Sequence, residues 1–279
     1  MPFPIYLPFY PGHQPNLIFS READIDDYEA YLALADETTS VAVFDAEVPA
    51  DGPVLDAGCG GGRWLVRMHE RGRRAVGIDL YRPVLEDIHR SRPAIPVVSG
   101  MVGALPFRSG SLAAVISLGV VEHAEAGPDA ALREFARVLR PGGRLLISVP
   151  FNNLFRRCVM NLLFRHYNTR WAGQGYYFVE YRFTRREFLA ALRAAGFASL
   201  SCHAHDFRPP RNMGLVSDLN ILAMRFKQEH GELRLELPPD RQWRLDGWYA
   251  PVTRFAQRRC PWLIAAELLV VAEKPAGTA

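Results

Sequence analysis

The chain has 279 residues, 49% of them apolar, which is enough for one large α/β domain with insertions and excludes disorder over most of its length. Basic and acidic residues nearly balance, 33 against 30, and the net charge of +3 is too small to argue for a nucleic-acid partner. No pair among Cys59, Cys158, Cys202 and Cys260 has C-x-x-C spacing, and no Cys/His group has zinc spacing, so reduced thiols and no metal are expected. The first residues lack the basic and apolar regions of a signal peptide, and no run approaches 18 apolar residues, so a cytoplasmic protein with no membrane span is expected.

Residues 1–20 are rich in proline and aromatics and are expected to lie extended over the domain. Residues 21–36 predict a helix, with Asp24, Asp26 and Asp27 near its start and Ile25, Tyr28, Leu32 and Ala35 at helical spacing. The stretch around which the chain is organised follows, Val54-Leu55-Asp56-Ala57-Gly58-Cys59-Gly60-Gly61-Gly62-Arg63. It predicts a buried strand, Pro53–Ala57, that ends in a glycine turn opening a helix from about Gly61 to Arg71. Glycine tolerates positive φ there, and its missing Cβ lets a ligand lie against the backbone. The helix start turns free N–H groups and positive dipole toward that ligand.

The G-x-G-x-x-G pattern of nicotinamide and flavin enzymes fits only in part, because its third glycine place holds Arg63. The pattern present is acid-x-Gly-x-Gly-x-Gly, from Asp56 through Gly58 and Gly60 to Gly62. A carboxylate at the turn repels a diphosphate and favours a ligand carrying an ammonium.

A second strand, Ala75–Ile78, closes on Asp79, 23 positions after Asp56 and near the ~20-residue interval of a ribose-binding acid. Asp79 can equally cap the helix starting near Arg82-Pro83. Strands are predicted at Ile95–Ser99 and Leu112–Leu118, and an amphipathic helix from Pro128 to Leu139. Arg140-Pro141-Gly142-Gly143 is expected to stop that helix before a fifth strand, Arg144–Val149. Thr184 and Glu187 form a capping box for the next helix, ended by Gly196-Phe197. Strand six is expected at about Ser199–His205 and the last strand at Ala266–Glu273.

The glycine motif, Asp79 and Leu-Arg-Pro-Gly-Gly, in this order and spacing, resemble the class I S-adenosylmethionine-dependent methyltransferases. The resemblance covers roughly residues 50–150, 181–205 and 263–274. It implies a doubly wound, Rossmann-like α/β sandwich of three layers. The seven-stranded sheet is mostly parallel, in order 3-2-1-4-5-7-6, with an antiparallel last strand. It implies S-adenosylmethionine as cofactor, bound by Asp56, Gly58, Cys59, Gly60, Arg63, Asp79, Leu80, Met101, Val102, Leu118 and Gly119. His123, just past strand four, is placed nearest the methyl group and is the candidate catalytic residue, either positioning or deprotonating an acceptor; histidine titrates near neutral pH. The alternative for His123 is a hydrogen bond to backbone.

Two positions depart from the family pattern. Met101 stands where an acid usually meets adenine, and Leu112-Ala113 replaces Phe-Asp. The absence of an Asn/Asp-Pro-Pro-aromatic sequence after strand four argues against exocyclic base amines as acceptors, and that of a Pro-Cys dipeptide against cytosine C5; no nucleic-acid partner is expected.

The expected division is a cap segment and helix at 1–40, a cofactor-binding core at 41–150, and a substrate-lid insertion at 151–180. A core helix and strand six follow at 181–205, a second insertion at 206–262, and the last strand and tail at 263–279. The first insertion mixes apolar residues with Arg156, Arg157 and Arg165. It reads as a lid for a hydrophobic, lipid- or sugar-linked acceptor touching anionic membrane, or as a helix packing its apolar side with the arginines in solvent. His203 and His205 share a strand face but lack a third metal ligand and are expected at the surface. The activity expected is methyl transfer to a small-molecule, lipid-linked or sugar-linked acceptor. The alternatives are a non-catalytic cofactor-binding protein and a nicotinamide-dependent oxidoreductase.

Overall fold

The computed structural model describes residues 1–8, 28–170, 176–223, 225–229, 232–236, 244 and 247–276. In chain order the elements are β1 (Phe3–Pro8), α1 (Tyr28–Ala33), α2 (Val41–Glu47), β2 (Pro53–Ala57), α3 (Arg63–Glu70), β3 (Arg74–Asp79) and α4 (Arg82–Ser91). They continue with β4 (Val97–Ser99), β5 (Leu112–Leu118), α5 (Asp129–Val138), β6 (Leu139–Pro150), α6 (Asn161–Arg170) and β7 (Tyr176–Arg182). Then come α7 (Arg185–Ala194), β8 (Ala198–His205), α8 (Met213–Ala223), β9 (Arg225–Glu229), β10 (Glu232–Glu236), α9 (Ala250–Arg259), α10 (Pro261–Ile264) and β11 (Glu267–Glu273).

Seven strands form one sheet in the order β4-β3-β2-β5-β6-β11-β8. The first five are parallel, and β11 runs antiparallel to both β6 and β8. This is the order and the single reversal that the family resemblance implied. Apolar strands such as Leu112–Leu118 are buried on both faces because helices cover both. One face packs Leu132 and Phe135 of α5 and Phe188 and Leu192 of α7. The other packs Phe44 of α2, Trp64 and Leu65 of α3 and Ile88 of α4.

Two strand boundaries differ from expectation. β4 starts at Val97 rather than Ile95, because the Ile95 N–H bonds back to Arg92 and Pro96 offers only its carbonyl, to Gly77. β6 starts at Leu139, so Arg140–Gly143 is a bulge within the strand rather than a gap before it. Gly142 holds φ 72° there, and Gly142 and Gly143 exchange backbone hydrogen bonds with Lys274, of 2.8 and 3.0 Å. The bulge therefore ties the end of α5 to the segment after β11.

The insertions differ more. Residues Arg156–Met160 form a π-helical turn that runs into α6. Arg156 is not in solvent, as the packing-helix reading expected, but 4% exposed. Its guanidinium donates to Asp218 of α8 and to the Phe151 and Ala266 carbonyls. Arg157 and Arg165 are exposed. The strand after α6, β7, pairs antiparallel with β1, so the N-terminal strand lies extended along the first insertion.

Candidate functional site

The site is built at the C-terminal ends of β2, β3 and β5, where the strand order reverses and open α/β sheets form their ligand crevice. The glycine turn after β2 is held by its own backbone. Gly58 and Cys59 both donate to the Ile78 carbonyl, at 2.7 and 3.0 Å, and Gly60 donates to Asp79 Oδ2 at 2.9 Å. Gly58 has φ 81°, and a Cβ on it would sit 2.4 Å from Val120 Cγ2, so no side chain fits. Gly62, at φ 83°, opens α3 against Ile88.

Asp79 uses its second oxygen to accept the Tyr81 N–H at 2.8 Å. It is not the N-cap of α4; that place is Tyr81, whose side chain makes no capping bond. Each Asp79 oxygen keeps a further lone pair for a ligand hydroxyl. Leu80 and Met101 beside it are large apolar side chains left 59% and 61% exposed, which suits a flat ring lying between them. Val102 is partly buried against the core. Cys59 is buried and packs on Gly77, so its contribution to a ligand is limited to its backbone.

At the other end of the crevice, Asp56 is buried at the tip of β2. Arg63, the first residue of α3, lies over the rings of Tyr31 and Phe207 at 5.4 and 5.6 Å. Among the described residues its buried Nε and Nη1 have no hydrogen-bond partner. A partly buried guanidinium with two buried nitrogens unsatisfied suits a carboxylate by chemistry. Helix α1 closes this side: Tyr28 donates to the Gly61 carbonyl at 2.8 Å, and Tyr31 packs on Gly61.

A model of the methyltransferase domain matches residues 55–147. A probable S-adenosylmethionine-dependent methyltransferase of Mycolicibacterium smegmatis is 33% identical over 99 residues, which are 35% of this chain and 37% of that protein. The chain carries a class I S-adenosylmethionine-dependent methyltransferase domain. A ubiquinone biosynthesis O-methyltransferase of Xanthomonas axonopodis is 28% identical over 64% of this chain and 77% of its own length. A mouse tRNA (carboxymethyluridine(34)-5-O)-methyltransferase is 37% identical over 39% of this chain and 16% of its own length. The chain spans well under half the length of the mycobacterial and mouse relatives. Among solved structures, a methyltransferase of Archaeoglobus fulgidus matches with a TM-score of 0.55 at 14% identity, covering 93% of this chain and 99% of that one; at that identity the likeness is one of fold.

The methyltransferase domain places the remaining candidates at the end of β5. Leu118 packs on the α3 side of the sheet, and Gly119 has φ 67°. His123 ends a short 3₁₀ turn, Val121–His123, and its Nδ1 lies 2.8 Å from the Val179 carbonyl. The backbone hydrogen bond considered for this histidine is therefore present. A carbonyl only accepts, so Nδ1 carries the proton and Nε2 is the basic nitrogen, 3.8 Å from Glu122 Oε1. Ala113, where the family has an acid, is the second residue of β5 and is fully buried.

Sequence reasoning missed Glu122 and Glu267. Glu122 is buried and Glu267 partly buried beside Gly119, and loss of hydration is the main reason both titrate above the usual carboxylate range, each also feeling a second glutamate. Glu267 accepts a short hydrogen bond from Ser148, at 2.5 Å. An acid one step after β5 and an acid opening β11 look like ordinary strand-end charges in the sequence; only the sheet order brings them together. The His203/His205 expectation is corrected for one member. His205 is buried beside Phe44, and loss of hydration drives its pKa down to about 3, leaving it neutral. Among the described residues no group of three or more His, Cys, Asp or Glu could hold a metal.

Proposed function

We propose that the chain is an S-adenosylmethionine-dependent methyltransferase acting on a small-molecule, lipid-linked or sugar-linked acceptor. The observation that supports it most is the glycine turn whose Gly60 N–H fixes Asp79 at 2.9 Å, at the point where the sheet order reverses. In this reading Asp79 accepts the ribose hydroxyls, and Leu80, Met101 and Val102 flank the adenine. Asp56 takes the ammonium, and Nε and Nη1 of Arg63 take the carboxylate. Gly58, Cys59 and Gly60 supply a backbone surface without side chains, and Leu118 and Gly119 border the methyl end.

The cofactor, when bound, supplies a methyl group activated by a sulfonium. The protein's task is then alignment and exclusion of water: holding an acceptor atom about 3–3.5 Å from that methyl contributes most of what a site can add. In this reading His123 Nε2 takes the acceptor's proton; the Nδ1 contact with the Val179 carbonyl, which fixes the ring, supports it. The acceptor assignment rests on a near-zero net charge and on the buried, rather than basic, character of the site.

The domain division 1–40, 41–150, 151–180, 181–205, 206–262 and 263–279 is part of the same proposal. The two insertions, linked through Arg156 and Asp218, would then act as one unit that selects the acceptor. Methyl-labelled cofactor incubated with separated pools of polar metabolites, lipids and total RNA tests the function. Label is expected in the metabolite or lipid pool. Label in RNA would replace the acceptor class, and stable cofactor binding with label in no pool would favour a non-catalytic binder.

A further inference from the structure

Exposed apolar surface is concentrated in the two insertions. Twelve large apolar side chains stand exposed among the described residues, and eight of them belong to residues 151–170 and 247–266. In the first stretch Met160 and Phe164 pack inward on Ile5 and Val179, while Leu154, Val159, Leu162 and Leu163 face outward. This segment is therefore apolar on both sides. In the second stretch Gln257 of α9 holds its helix down by donating to the Phe207 and Arg211 carbonyls, at 3.3 and 2.9 Å. Val252 and Phe255 are then turned outward, three positions apart on one face, and Trp248 just before the helix is 90% exposed. Leu263 of α10 is exposed as well. Single exposed apolar residues are ordinary, but a cluster of them marks a surface that meets a partner.

The two stretches meet. The rings of Phe151 and Trp262 pack edge to face at 5.6 Å, and Asn153 Nδ2 donates to the Ala265 carbonyl at 3.0 Å. Charge within both stretches has one sign, since neither contains an Asp or Glu. Arg157 and Arg165 are exposed in the first. Arg258 and Arg259 are exposed in the second, three and four positions after Phe255 and so on its face of α9. Arg185 of α7, also exposed, lies over the Trp262 ring at 4.1 Å. The carboxylates that reach this seam from other elements are turned inward. Asp218 and Glu180 pair with Arg156 and Arg182, Asp206 accepts from the Ala266 backbone, and Glu267 accepts from Ser148. Apolar side chains rimmed by arginines alone match a headgroup layer: the apolar groups sink below it and the arginines stay at its phosphates. Tryptophan favours the same boundary.

From this we infer that the two insertions form one face that docks on an anionic lipid surface. The face adjoins the crevice, because α10 ends at Ile264, three positions before Glu267, and Glu267 lies beside Gly119 at the end of β5. Docking does not rest on the methyltransferase reading. Combined with that reading, it favours the lipid-linked acceptor among those proposed.

Co-sedimentation tests this, with vesicles of phosphatidylglycerol and phosphatidylcholine in equal parts and with vesicles of phosphatidylcholine alone. The protein should sediment with the anionic vesicles at low ionic strength, much less at high ionic strength, and stay in solution with the neutral ones. Arg258→Gln combined with Arg259→Gln should lower partitioning about 25-fold, about five-fold for each charge. Arg90→Gln, on α4 beside the opposite edge of the sheet, should leave it unchanged. Trp248→Ser combined with Phe255→Ser should release the protein even at low ionic strength, with the melting temperature unchanged because both side chains are exposed. No sedimentation with the anionic vesicles, or equal sedimentation with both kinds, would overturn the inference. So would binding that survives the Trp248 and Phe255 substitutions, because the arginines alone would then be adsorbing. A dimer in solution that Phe255→Ser dissociates, with no vesicle binding, would also overturn it and assign the face to a second copy. S-adenosylhomocysteine takes no part in these measurements, so failure of the methyltransferase reading is a separate result.

Discussion

Arg156 Nε donates to Asp218 Oδ2 at 2.9 Å, joining two insertions that are 62 residues apart in the chain. Both side chains are buried, and Asp218 accepts from Arg182 as well, at 2.6 Å. Glu180 also pairs with Arg182, at 3.0 Å, so two carboxylates compensate two guanidiniums in a buried network. Removing one partner from a buried charge network costs about 3–5 kcal/mol. Asp218→Ala should lower stability by that amount in urea unfolding. A loss under about 1 kcal/mol would show that the network is hydrated in solution.

This network marks the limit of what the sequence reveals. The glycine turn, Asp79 and the Thr184–Glu187 capping box were legible because each depends on local chemistry: positive φ, a strand-end acid, a helix start; the sheet order came only from the resemblance. Arg156, Glu122, Glu267 and His205 were not legible. A single charged residue next to apolar neighbours looks the same on a solvated helix as in a buried network. Its partner comes from another strand or insertion, and no local period records that pairing.

His205 makes stability sensitive to acid. Its folded-state pKa, about 3, is depressed below histidine's ordinary 6.5 by burial. Between those values the unfolded chain binds a proton that the folded chain does not. The contribution is therefore complete above pH 6.5 and is lost as pH falls, by up to about 1.4 kcal/mol per pH unit. Neighbouring Asp206, raised to about 7 by burial, acts in the opposite direction. The check is the difference between wild type and His205→Phe, in which the Asp206 contribution is common to both. The variant should gain on the wild type steadily from pH 6.5 down to pH 4. A pH-independent difference would place His205 in contact with water.

Gly58 has no room for a methyl group. Its φ of 81° and the 2.4 Å approach of Val120 act together, so Gly58→Ala must shift the turn or Val120. A cost of about 1–3 kcal/mol is expected, together with loss of the response to S-adenosylhomocysteine. Gly72, also at positive φ but with nothing near its missing Cβ, is the control. Gly72→Ala should lose some stability and keep the ligand response. Equal ligand responses in the two variants would separate the glycine turn from the cofactor.

His123→Ala separates the two roles open to that residue. As the acceptor's base it should lower turnover about 10²–10⁴-fold with affinity for S-adenosylhomocysteine unchanged. Its bond to the Val179 carbonyl also ties β7 to the end of β5. If that bond is its whole function, turnover and melting temperature should fall together, and adding the base imidazole should restore neither.

The central claim is that the crevice at the ends of β2, β3 and β5 binds S-adenosylmethionine, and a ligand titration followed by melting temperature tests it most directly. S-adenosylhomocysteine at 100 times its dissociation constant should add about 2.7 kcal/mol to stability. NAD and NADP should add nothing, and Asp79→Asn should weaken the response by removing a carboxylate that can accept from ribose. Stabilisation by NAD with none by S-adenosylhomocysteine would contradict the account.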